Sequence, residues 1–159
     1  MKTAWLCVFI SSLCLVVAGQ ASYPTSKVSF CNVTGKWHTE HGSLLKLSSD
    51  GQVVRGVYQT ALESVHGAAG PNREGKVLGV IGEGPQPTIA FSVLWAKGSC
   101  ATWIGQCFIL EGGGQVLKTL WMLRSVAESS YDNWESTRLG EDQFIFVGTG
   151  SLNSISGFA

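Results

Sequence analysis

Apolar residues in this chain recur at every second position, in short runs that end in Gly, Asp or Asn. A period of two is what a half-buried strand requires, and the 3.6 period of an amphipathic helix is hard to find. The pattern predicts eight strands: Gly35–Thr39, Ser43–Ser48, Val53–Thr60, Lys76–Gly82, Thr88–Trp95, Ala101–Leu110, Gln115–Ser125 and Thr137–Val147. Turn chemistry separates them at His41-Gly42, Ser49-Asp50-Gly51, Lys97-Gly98 and Gly112-Gly113-Gly114. Eight strands in order, with mostly tight links, specify an all-β protein: an eight-stranded antiparallel up-and-down β-barrel. Such a barrel is filled by its own side chains or holds one small ligand. One link is long, Ala61 to Gly75, which suits either a lid or a plain connection.

The barrel is expected to occupy residues 31–148. Lys2, a nearly uncharged run from Ala4 to Ala18, and then Gly19-Gln20-Ala21 describe a secretory signal peptide over residues 1–21. The run is too short for a span of about 20 apolar residues. A secreted, extracellular protein is therefore expected, with residues 22–30 as an N-terminal segment and 149–159 as a flexible, uncharged tail. Cleavage would remove Cys7 and Cys14 and leave Cys31, Cys100 and Cys107 in an oxidising compartment. Three cysteines permit one bridge and one leftover thiol. Asn32-Val33-Thr34 fits the N-glycosylation acceptor pattern.

Charge narrows the choice of partner. Lys+Arg and Asp+Glu number 11 each, and only 14% of residues are charged. A nucleic-acid or acidic-membrane binder needs a basic field, which this balance denies. No Cys-x-x-Cys pair suggests zinc, so no metal is expected. His38, His41 and His66 form no recognisable nucleophile–base motif, which argues against an enzyme. His38 and His66 are expected in solvent, and His41 near the mouth of a pocket.

Parity along the strands assigns faces. Ile89, Phe91, Val93 and Trp95 make a core face, and Ala101, Trp103, Gly105 and Cys107 share another. Trp37, Thr39, His41, Ser43, Leu45 and Leu47 have one parity, as do Leu117, Thr119, Trp121 and Leu123. Asp142 goes with Phe144 and Phe146. Thr39, Ser43, Tyr58, Thr60 and Asp142 would thus point inward among tryptophans. A buried Asp is costly unless it is paired or hydrogen-bonded. Apolar walls with a few placed polar groups are the usual make-up of a small-molecule pocket. Val116, Leu120 and Met122 fall on the outer face of the seventh strand, which suggests a subunit interface.

Taken together, several segments resemble the avidin family of biotin-binding proteins. They are Thr34-Gly35-Lys36-Trp37, Gly42-Ser43, Gly56 to Ala61, Pro87 to Trp95, Gly105-Gln106-Cys107-Phe108, Val116 to Ser125, and Trp134 with Thr137 and Gly140. The resemblance implies a homotetramer with biotin as a bound ligand inside each barrel. It implies that Ser43 and Tyr58 donate hydrogen bonds to the ureido oxygen, and that Asp142 and Thr60 accept from the two ureido N–H groups. Trp95, Trp103 and Trp121 would wall the ring system, and Trp134 would reach over the site of a neighbouring subunit. Ser99 would lie near the biotin carboxylate, and Leu62, Ser64 and Val65 in the lid loop. Thr39 stands where the family places an Asn donor, His41 where a Leu is familiar, and Ala101 where a Thr touches the biotin sulfur. Leu123 completes the inward set. The resemblance also pairs Cys31 with Cys107. Cys100 is then the odd thiol, expected to be buried in preference to bridging between molecules. The resemblance implies sequestration of biotin rather than turnover. The alternative is a lipocalin-like carrier of a different apolar ligand, which would share secretion and the barrel but leave Asp142 and its hydroxyls unexplained.

Overall fold

A computed structural model describes residues 29–150. The expected signal peptide, most of the N-terminal segment and nearly all of the tail lie outside those residues. Eight strands follow one another: β1 Gly35–Thr39, β2 Leu44–Asp50, β3 Val53–Gln59, β4 Glu74–Ile81, β5 Thr88–Trp95, β6 Cys100–Ile109, β7 Gln115–Arg124 and β8 Thr137–Gly148. Each pairs antiparallel with the next, and β8 closes on β1, giving a closed barrel. The fold expectation is met.

The strand ends differ from the sequence expectation where side chains compete with the ladder. Ser43 stands just outside β2, because its N–H donates to Thr39 Oγ1 at 3.1 Å in the β1–β2 turn. Thr60 leaves β3, because its hydroxyl bonds both the N–H and the carbonyl of Leu62. A short 3-10 helix, Ser130–Glu135, precedes β8 and was not foreseen. It has no buried residue, so no periodic apolar face announced it.

The register lays the inward residues in rungs around the barrel. One rung runs Val54, Gly79, Phe91, Trp103, Trp121, Gly140. Three large rings stand side by side there because glycines flank them. A Cβ at Gly140 would come within 2.4 Å of the Trp121 ring, and one at Gly79 within 2.5 Å of Phe91 Cβ. A second rung runs Trp37, Leu45, Tyr58, Gly75, Trp95. Trp37, Leu45, Leu47, Leu117 and Phe144 are fully buried.

One end of the barrel is plugged. Cys31 is disulfide-bonded to Cys107, with Cα atoms 6.0 Å apart. Val33 is buried, and Trp37 Nε1 donates to its carbonyl at 2.9 Å. Cys31 N–H bonds Pro85 O in the β4–β5 link, so the N-terminal segment crosses this end. The β1–β2, β3–β4, β5–β6 and β7–β8 links lie at the other end.

The outer surface is unusually apolar. Leu78, Val80, Leu94, Ile104, Leu120, Met122 and Leu139 are all exposed. They fall in neighbouring outward rows; one runs Leu78, Ser92, Thr102, Met122, Leu139. Two expectations about this face are corrected. Val116 is only 1% exposed. The chain itself covers that end of β7, where Asn32 N–H bonds the Gln115 side chain. Cys100 is a free thiol but exposed, not buried. It begins β6 with outward parity, opposite Leu94 and Arg124.

Candidate ligand-binding site

At the open end, aromatic rings surround a cluster of hydroxyls and a carboxylate. Phe91 and Trp103 stack at 5.3 Å, almost parallel. Tyr58 lies 5.0 Å from Trp103 and 6.1 Å from Trp95, centroid to centroid. Trp95 Nε1 is buried with no acceptor among the described residues. Trp121 and Leu123 are half-buried on β7, and Ala101 faces inward, fully covered. Such rings present a large, stiff apolar surface.

The polar groups are each given a direction by the backbone. Thr39, Ser43 and Tyr58 are buried. Thr39 Oγ1 accepts the Ser43 N–H, and Ser43 Oγ accepts the Ala61 N–H at 3.0 Å. Each of these hydroxyls still carries a hydrogen of its own, and that of Ser43 lies within reach of the Tyr58 oxygen. Thr60 is the opposite case. Its hydrogen goes to Leu62 O at 2.7 Å, so it faces other groups as an acceptor. The Tyr58 hydroxyl is within hydrogen-bonding reach of Ser43 and Thr60. Burial, with the nearby Asp142 charge, pushes its pKa up to about 12, so it remains a protonated donor at neutral pH.

Asp142 is half-buried, and its Oδ2 accepts the Trp103 Nε1–H at 2.9 Å. Burial holds its carboxyl above the ordinary value, against the pull of Trp103, His41 and Trp121. It has no ion-pair partner among the described residues, and as a carboxylate it can accept further hydrogen bonds besides those of the two indoles. His41 is exposed in the β1–β2 turn, 3.5 Å from Glu40. His38 and His66 are exposed as well.

The long link is a folded loop across residues 60–73. Thr60 N–H bonds Arg73 O at 3.0 Å, which ties its two ends. Ala69 is buried in the core, and Gly70 lies against Ala96 of the β5–β6 link. Leu62, Ser64 and Val65 stand exposed on it, and Ser99 is half-buried in the β5–β6 turn. Glu63, which is not among the residues expected at the site, lies in this loop. Its carboxylate accepts the Ala69 and Gly67 N–H groups, which hold its pKa below the ordinary value. No sequence signal marks it, because both partners are backbone N–H groups. Trp134 sits on the 3-10 helix and is 78% exposed among the described residues. Among the described residues, no group of His, Cys, Asp or Glu is placed to hold a metal ion.

The chain is a closed eight-stranded barrel, plugged at one end and with aromatic rings and polar side chains clustered toward the other, an architecture that can hold one small ligand. The Avidin family profile matches residues 27–147, and the chain belongs to that family. Avidin of Gallus gallus is 33% identical over 143 residues, covering 87% of this chain and 90% of that one. The crystal structure of Xenavidin superposes with a TM-score of 0.68 at 33% identity, covering 75% of this chain and all of that one. A biotin-binding protein from chicken does so with a TM-score of 0.67 at 30% identity, covering 74% and 98%.

Proposed function

We propose that this chain is a secreted, high-affinity biotin-binding protein that works by sequestration, not turnover. The observation that carries the reading is the directed polar set. Hydroxyls of Thr39, Ser43 and Tyr58 have hydrogens to donate, while Thr60 and Asp142 accept. A cyclic urea asks for that arrangement: its carbonyl takes several donors, and its two N–H groups need acceptors. An ionised Asp142 would make a charge-assisted bond to one N–H and polarise the urea toward a negative oxygen. Trp95, Trp103 and Trp121 would wall the rings. Ala101 and Leu123 would add apolar lining, and His41 would stand at the rim. Ser99 and the lid residues Leu62, Ser64 and Val65 would meet the carboxylate end.

The exposed rows on the outer face suit burial against further copies of the chain, giving a homotetramer. In that assembly the exposed Trp134 would close a neighbour's chamber, which couples binding to assembly by mass action. A signal peptide over 1–21 and a glycan at Asn32 belong to the same proposal. Asn32 is exposed, as a glycan site must be. An apolar-ligand carrier of the lipocalin kind is disfavoured, because it would gain nothing from a carboxylate in the chamber.

Native mass measurement with and without biotin tests this. A tetramer that takes up four biotins is expected. A monomer whose mass biotin does not change would refute the reading.

A further inference from the structure

We propose that Glu63 is a positioning residue that shapes the β3–β4 lid before ligand arrives and so sets how long ligand stays. The inference rests on the biotin-binding reading. Glu63 is neighbour to Leu62 and Ser64 on the lid, yet its own side chain turns under the loop and is only 6% exposed. Its two oxygens divide the work. Oε1 accepts the Ala69 N–H at 2.8 Å, and Oε2 accepts the Gly67 N–H at 3.1 Å. Arg73 Nε lies 3.3 Å from Oε2. One carboxylate thus joins three points of a single loop to its own start.

The loop turns through three residues with positive φ. Gly67 and Gly70 have φ of 75° and 89°, and Arg73 has φ of 54°, a left-handed conformation that a long side chain rarely adopts. The Arg73 ion pair holds that turn. Ala69, fixed by the carboxylate, is the lid residue that enters the core. Arg73, His66 and Lys97 also line the cleft of about 380 Å³ beside Glu63, so the side chains that share the cleft with its carboxylate are basic or uncharged. A loop already held in its bound shape loses less conformational entropy when ligand binds. Such pre-ordering acts mainly on the dissociation rate.

The test uses Glu63→Gln in the full protein, with biotin as the probe. A single amide oxygen cannot accept from both Gly67 and Ala69 as the carboxylate does, and the charge facing Arg73 is gone. Amide exchange at Gly67 and Ala69 in the ligand-free protein is expected to accelerate, and biotin dissociation to quicken about tenfold. The unfolding temperature should barely move. Arg73→Met leaves both amide bonds in place and is expected to give a smaller acceleration, about threefold. It serves as the second variant should Glu63→Gln fold poorly. Biotin release at the wild-type rate from both variants, or unchanged exchange at Gly67 and Ala69, overturns the inference. Wild-type protein that retains no biotin instead overturns the binding reading, while the exchange measurement still judges the clasp.

Discussion

Replacing Asp142 with Ala is expected to weaken biotin binding by about two orders of magnitude. A hydrogen bond to a charged group contributes roughly 1.5–3 kcal/mol, and each ~1.4 kcal/mol is tenfold in affinity. The Ala variant also leaves the buried Trp103 N–H without its acceptor, which costs about 1–3 kcal/mol of stability. The two effects can be separated. Asp142→Asn keeps an oxygen for Trp103, so stability is retained, but its amide N–H₂ cannot accept from the urea in the place of the second oxygen. About tenfold weaker binding is expected from it.

The pH dependence follows from the raised pKa of Asp142. In the empty barrel the folded state binds this proton more tightly than the unfolded chain does. The carboxyl therefore opposes folding above its folded pKa, and that penalty fades as pH falls through it. Ligand reverses the preference, since a urea N–H favours the ionised form. Biotin affinity should fall in acid as Asp142 takes up its proton, and Asp142→Asn should flatten that part of the curve. Competition binding across pH checks both. Wild-type affinity and an unchanged profile in the Asn variant would remove Asp142 from the mechanism.

Opening the Cys31–Cys107 bridge is expected to have the largest effect on stability. The two residues are 76 apart in sequence. Chain-entropy reasoning gives about 4 kcal/mol for a loop of this size, which corresponds to a fall in unfolding temperature of roughly 15 °C for a domain of this length. The mechanism lies mostly in the unfolded chain, but the folded side contributes too. The bridge holds the segment that carries Val33, whose carbonyl accepts the Trp37 indole N–H. Replacing both cysteines with Ala avoids placing a hydroxyl at the fully buried Cys107. Because the bridge sits at the plugged end, biotin affinity measured well below the unfolding temperature should be unchanged. Calorimetric unfolding reads the first effect and titration the second. A fall of less than about 5 °C would place the stability of this end in its packing instead.

Much of the barrel was legible because alternation is a local property. Ile89, Phe91, Val93 and Trp95 are buried while their neighbours are not, and Leu120 and Met122 face outward as parity requires. The inward positions of Thr39, Ser43, Tyr58 and Asp142 were legible for the same reason. What failed was set by contacts distant in sequence or by side-chain competition with the backbone. Val116 has outward parity, but the chain covers that end of β7. Cys100 was judged by the usual habit of cysteine, although its strand places it outside. Thr60 and Ser43 were drawn into strands because nothing in the period of two reveals that a hydroxyl will bond the next turn. Glu63 was invisible because its partners are backbone N–H groups, which carry no sequence signature. The hydroxyls' directions were equally hidden, since each depends on which N–H or carbonyl is nearby. Those directions are the part of the site that most restricts the ligand.

Calorimetric titration of the wild-type protein with biotin tests the central claim most directly. The directed donors and acceptors predict one site per chain with an affinity of about nanomolar or tighter. Binding at about micromolar strength or weaker, or no heat at all, would contradict the claim that the chamber is built for a cyclic urea.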